Sequence, residues 1–169
     1  VRNIKGENKI GFYSVNSHTI VENNGCYIQN RVIDMLSKIV FENLLSLGFS
    51  CYSDETKEGD IKHIIIKRGY HTSDVMIVIV VSRKLLLNDN RFNKLIEMLK
   101  QNNIKSLSLN LNDKDTNKIL GEKTVCIYGD EYIQDTIGDY SFYISPKSFF
   151  QVNTVQVEVL YNTLKEKLD

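Results

Sequence analysis

A chain of 169 residues can bury one sizeable core, and 42% hydrophobic with 25% charged residues is a folded globular composition, which excludes a disordered chain. Lys plus Arg and Asp plus Glu both number 21, so zero formal charge offers no compositional support for an autonomous nucleic-acid binder. The longest apolar run, Val75 to Val81, falls far short of the roughly 18 residues a membrane helix needs, which argues against a membrane partner.

Val1-Arg2-Asn3-Ile4-Lys5 carries neither a signal peptide nor an initiator methionine, so the chain reads as a piece cut from a longer protein. Cys26, Cys51 and Cys126 form no C-x-x-C pair. An odd, sparse set fits a reducing compartment, and the expected localisation is cytoplasmic.

In chain order, residues 1–22 alternate in strand fashion, with Lys5-Gly6-Glu7-Asn8 as a hairpin turn. A helix is predicted from about Ile28 to Leu47, because Ile28, Val32, Leu36, Ile39, Val40, Leu44 and Leu47 keep a 3.6 period and Gly48 can end it. Ile61–Arg68 and Ser73–Ser82 are β-branched runs joined by Gly69-Tyr70-His71-Thr72, which reads as a hairpin. A second helix follows the caps Asn88-Asp89-Asn90, with Phe92, Leu95, Ile96 and Leu99 on one face. Leu107, Leu109 and Leu111 alternate like a half-buried strand.

A strand near Thr19–Val21 would complete the order β-α-β-β-α-β. The expected fold class is therefore α+β, with a ferredoxin-like β-α-β-β-α-β core and an N-terminal β-hairpin. Short strands at Thr124–Ile127, Glu131–Asp135 and Tyr140–Ile144 add a small β extension. The last helix starts near Thr154, where Asn153 and Gln156 suit a capping box. Val157, Leu160, Tyr161, Leu164 and Leu168 form its apolar stripe, expected to be covered by a missing neighbour or to mediate dimer contacts.

Most catalytic signatures are absent. The sequence has no G-x-G-x-x-G, P-loop, G-x-S-x-G or H-E-x-x-H, and His18, His63 and His71 lack metal-ligand spacing. Ile61 to Ser73 carries Lys62, His63, Lys67, Arg68 and His71 with no acidic residue. A strand period of two puts Lys62 with Arg68 and His63 with Lys67. Such a strand could face phosphates, although an edge strand guarded by lysine would look the same. Arg2, Lys5, Lys9 and His18 form a second cationic cluster.

Ser148-Phe149-Phe150-Gln151-Val152-Asn153 closely resembles the S-F-F-Q-V-N block of the RNA (uracil-5-)-methyltransferases. Further blocks follow in that family's order. Arg2-Asn3 resembles the start of its R-N-K segment, and Gly11-Phe12-Tyr13 with Ser17-His18-Thr19-Ile20-Val21 its G-F-Y and S-H-x-I-V block. Cys26-Tyr27-Ile28-Gln29 is similar to C-x-I-Q, and Lys62-His63 through Arg68 to R-H-hydrophobic-R with lysine for the first arginine. Asn110 through Gly121 and Gly129 track its N-x-N and L-G block.

The resemblance implies a central RNA-binding domain over 1–144, followed by the truncated start of a Rossmann-like, S-adenosylmethionine-dependent methyltransferase domain over 145–169. The RNA, ribosomal or transfer, would be methylated at carbon 5 of uridine. In the family a thiolate adds to carbon 6, carbon 5 takes the methyl group, and a carboxylate base removes the carbon-5 proton. The resemblance places that cysteine and base beyond Asp169, so it implies no catalytic residue here and an inactive fragment.

Gln151 matches the family's cofactor-binding glutamine, and Phe149 its aromatic beside the target base. Without the resemblance, Gln151 would read as a helix-entry polar residue and Phe149-Phe150 as a core pair. The expected RNA-binding set is Arg2, Lys5, His18, Lys62, His63, Lys67, Arg68 and Phe149. Cys26 is similar to the last of four iron–sulfur ligands in some members, but a lone thiolate cannot hold a cluster, so no metal is expected. A free-standing RNA-binding module and a protein-interaction domain are the rival readings.

Overall fold

The computed structural model describes residues 1–15, 20–22, 25–151 and 153–168. At the N-terminus, β1 (Arg2–Ile4) and β2 (Glu7–Lys9) form an antiparallel ladder, as do β3 (Gly11–Tyr13) and β4 (Ile20–Glu22). The two-residue turn between β1 and β2 puts Lys5 at φ 51 and Gly6 at φ 89, the sign demanded by a type I′ hairpin.

The first helix, α1 (Arg31–Ser46), begins later than its apolar period suggests, because the Asn30 side chain accepts from Val32 N and fixes the start. Tyr27 and Ile28 therefore lie outside it and are exposed. Its Leu36, Val40 and Leu44 are buried, and Gly48 at φ +78 ends it as expected.

Four strands, β5 (Ile61–Arg68), β6 (Val75–Val81), β7 (Ile104–Leu111) and β8 (Lys123–Gly129), form the main sheet in that spatial order. The central pair β6/β7 is parallel and the outer pairs antiparallel. A parallel pair needs a crossover, which α2 (Arg91–Leu99) supplies, burying Phe92, Leu95 and Leu99. Asp89 rather than Asn90 caps it, accepting from Arg91 N and gripping the Arg91 guanidinium.

All seven residues of β6 are buried, which explains its unbroken apolar run. On the helix side Val75, Ile77, Ile79 and Val81 meet α1 and α2 residues. On the other, Met76 and Val78 meet Ile133 and Ile144 from the hairpin of β9 (Ile133–Ile137) and β10 (Tyr140–Ile144). Burying each such side chain contributes roughly 1.5–3 kcal/mol, so β6 anchors both layers.

The ferredoxin-like arrangement is not what forms. The element order occurs, but β4 pairs with β3 in a separate two-stranded ladder. In that arrangement β4 would lie between β6 and β7, but those two strands pair directly with each other. The expected strand at Thr124–Ile127 is instead β8, the fourth member of the main sheet. The chain ends in α3 (Thr154–Leu168), where Asn153 Oδ1 accepts from Gln156 N at 3.2 Å.

Candidate nucleic-acid and cofactor interface

The cations of the N-terminal ladders and of β5 do converge, but they turn inward. Arg2 is buried, with Nε donating to Asp54 Oδ2 at 3.0 Å and Nη1 to the Val1 and Lys62 carbonyls. Its guanidinium lies 5.6 Å from the Tyr13 ring centre and 5.9 Å from that of Tyr52. Lys62 follows Ile61 at a β-bulge, is itself buried, and donates from Nζ to the Lys114 carbonyl at 2.9 Å. Burial, with the charge of Arg2 behind it, lowers the Lys62 pKa.

His63 is half-buried, and burial followed by the Arg2 charge pushes its pKa down to about 3. At neutral pH the His63 imidazole is therefore neutral. Lys67 donates from Nζ to the carbonyls of Ser145 at 2.9 Å and Ser148 at 2.5 Å. Burial lowers its pKa.

Two members of the set stay outward. Lys5 is exposed at the tip of its turn, and the half-buried Arg68 donates to the Ser73 hydroxyl at 2.7 Å in an exposed bond. Lys9 pairs with Glu22 at 2.9 Å and Glu7 at 3.4 Å. His18 lies outside the described residues. A cleft of about 940 Å³ opens beside this region, and its walls are of mixed sign. Arg2 faces Asp54 there, and Lys57 pairs with Asp115 at 3.0 Å.

The segment 145–151 behaves differently. Ser145 and Ser148 close a turn: Ser145 N donates to Ser148 Oγ at 3.1 Å, Ser148 N to Ser145 Oγ at 3.2 Å, and the two hydroxyls lie 2.8 Å apart. The chain then alternates. Phe149 is 82% exposed, Phe150 packs on the Met76, Val78, Ile133 and Ile144 cluster, and Gln151 is exposed. The two rings thus part, Phe150 packing in the core and Phe149 facing solvent.

On α3 only Val157 of the apolar stripe is buried, while Leu160, Tyr161, Leu164 and Leu168 are exposed. With Tyr140 and Phe142, three of these (Tyr161, Leu164 and Leu168) line a groove of about 890 Å³. Glu158 reaches back to His71 Nε2 at 2.8 Å.

Sequence reasoning missed three polar side chains that fix this surface. Asp135, fully buried, accepts from Tyr70 N at 2.7 Å and His71 N at 2.9 Å, docking the turn after β5 onto β9. Asn110 clasps Gly121 and Thr124, and Asn112 clasps Lys118 and Ile119, so the N-x-N block holds a loop. The spacing of that block was the available signal; Asp135 carried none.

Burial pushes the Cys51 thiol up to about 11. Cys126 points at the Tyr128, Gly129 and Asp130 carbonyls, and Cys26 is half-buried just before a bend. Among the described residues no three His, Cys, Asp or Glu side chains gather to hold a metal ion, and no helix is long and apolar enough to cross a membrane.

No protein-family model matches the chain. It is 40% identical over 163 residues to an Oceanobacillus iheyensis protein named as an uncharacterised RNA methyltransferase, covering 95% of this chain and 35% of that one. A Clostridium tetani protein of the same name is 37% identical over 166 residues, covering 98% of this chain and 36% of its own length. The chain is a sequence relative of RNA methyltransferases, and it spans about a third of the length of the curated relatives it matches.

Among solved structures, the Pyrococcus abyssi tRNA (uracil-54, C5)-methyltransferase in complex with S-adenosyl-L-homocysteine superposes with a TM-score of 0.70. That match covers 88% of this chain and 35% of that one at 22% identity, which establishes a shared fold.

Proposed function

We propose that this chain is the substrate-gripping central part of an S-adenosylmethionine-dependent RNA methyltransferase that acts on carbon 5 of uridine in ribosomal or transfer RNA. Residues 1–144 contact RNA, and residues 145–169 open the catalytic domain. The observation that carries this reading is the outward pair Phe149 and Gln151, flanking an anchored Phe150. The names of the relatives and of the fold neighbour support the same class.

The exposed Gln151 amide can both donate and accept, which suits the amino and carboxylate end of S-adenosylmethionine. That cofactor, when bound, supplies the methyl group. The free Phe149 ring offers a stacking face for a uracil swung out of its own stack. Lys5 and Arg68 remain as outward cations for phosphates. The nucleophilic thiolate and base belong to the longer protein: Cys51, its thiol pushed up to about 11, stays protonated at neutral pH.

The test is Gln151→Ala in the full-length protein, followed by calorimetric titration with S-adenosylhomocysteine. Losing one hydrogen-bonding amide on a charged ligand is expected to weaken affinity about tenfold, with thermal stability unchanged. Unchanged affinity would remove Gln151 from the cofactor site.

A further inference from the structure

We infer that Lys67 is the positioning residue of the cofactor-binding segment, holding the Ser145–Ser148 turn so that Gln151 leaves it aimed at S-adenosylmethionine. This rests on the cofactor reading of Gln151 above.

The geometry is specific. Register pairs Lys67 with Met76 and Ile65 with Val78, and Ile65, Met76 and Val78 all pack in the cluster that receives Phe150. Lys67 therefore stands on the sheet face away from the helices, beside the point where the turn crosses. Its ammonium donates to two carbonyls three residues apart, Ser145 and Ser148, at the two ends of the turn. Phe150 then anchors the chain in the core, and Asn153 caps α3. Gln151 is bracketed by fixed points on both sides.

A cation half-removed from water is an expensive way to hold a loop. Burial lowers its pKa, and no carboxylate shares in the cause. An apolar residue of similar length would fill the space at less desolvation cost but could not grip two carbonyls. Such a group fits a need for geometry, since a functional amide must be held within about 0.5 Å of its productive place. Direct contact with RNA phosphate would require the ammonium to release both carbonyls.

The experiment uses the full-length protein with Lys67→Met, Lys67→Arg, Ser148→Ala and the Gln151→Ala control. Each variant is titrated with S-adenosylhomocysteine, and separately with substrate RNA across a salt series. Lys67→Met is expected to weaken S-adenosylhomocysteine about tenfold through two lost charge-assisted bonds, leaving RNA affinity and its salt slope alone. Lys67→Arg, which keeps charge and donors, should restore affinity to within about threefold.

Should Lys67→Met not fold, Ser148→Ala loosens the same turn by removing its hydroxyl bonds to Ser145 and should weaken S-adenosylhomocysteine by a smaller factor. Three results overturn the inference. Unchanged cofactor affinity in Lys67→Met and Ser148→Ala while Gln151→Ala weakens it would leave Gln151 in the site and remove Lys67. A salt slope flattened by about one in Lys67→Met, with cofactor affinity intact, would make Lys67 a phosphate contact. No effect from any variant, Gln151→Ala included, would bring down the cofactor reading itself.

Discussion

Strand β5 carries Lys62, His63, Lys67 and Arg68 within a single eight-residue strand, while the segment 145–151 carries one lysine. By charge alone β5 is the RNA surface and the segment a connector. The contacts change what each region leaves available. Lys62 and Lys67 are satisfied by carbonyls far along the chain, His63 is held neutral, and Arg68 alone keeps an exposed head. Phe149 and Gln151, with no charge between them, reach solvent without competition. Formal charge is a property of composition, whereas available charge depends on what the fold has already paired.

The comparison is broken most forcefully at Arg2. If its role is inward, Arg2→Ala should cost about 2–4 kcal/mol of unfolding free energy, less than for a sealed ion pair because Asp54 is 34% exposed. Denaturant titration measures this, and the RNA salt slope should not change. A stable variant with a flattened slope would return Arg2 to the phosphate set. Phe149→Ala should do the opposite. Removing an exposed ring leaves stability within about 0.5 kcal/mol of the parent. RNA affinity should fall by about 1–3 kcal/mol, the worth of one base stacked on an aromatic. Lost stability with intact RNA binding would make Phe149 a packing residue after all.

These contrasts also mark how far the sequence could be read. Periodicity and turn chemistry were local and legible: the buried run of β6 and the Gly48 stop both lie within a few residues of their cause. Pairings across long separations were not. Lys62 reaches Lys114, Lys67 reaches Ser145 and Ser148, and Asp135 reaches back to Tyr70 and His71. A strand pattern likewise says that Ile20–Glu22 is extended without saying which strand it joins, so the ferredoxin-like expectation failed at β4. On α3 the apolar period was real, yet it marked a face and not its cover, and most of that face is exposed.

The finest test of the comparison is His63. Its unfolded pKa should lie near 6.5, while in the folded chain burial and then Arg2 hold it at about 3. Below 6.5 the unfolded state therefore binds a proton that the native state refuses. The His63 contribution is constant above about pH 7, and stability falls progressively as pH drops from about 6.5 towards 3. His63→Asn should flatten that part of the stability profile. Between pH 7 and 8 neither stability nor RNA affinity should respond to His63 ionisation. Assignment of its ring carbon resonance by comparison with His63→Asn separates it from His18 and His71. A midpoint near 6.5, moving upward when RNA is added, would mean that the imidazole is charged against phosphate and that β5 faces outward at this position.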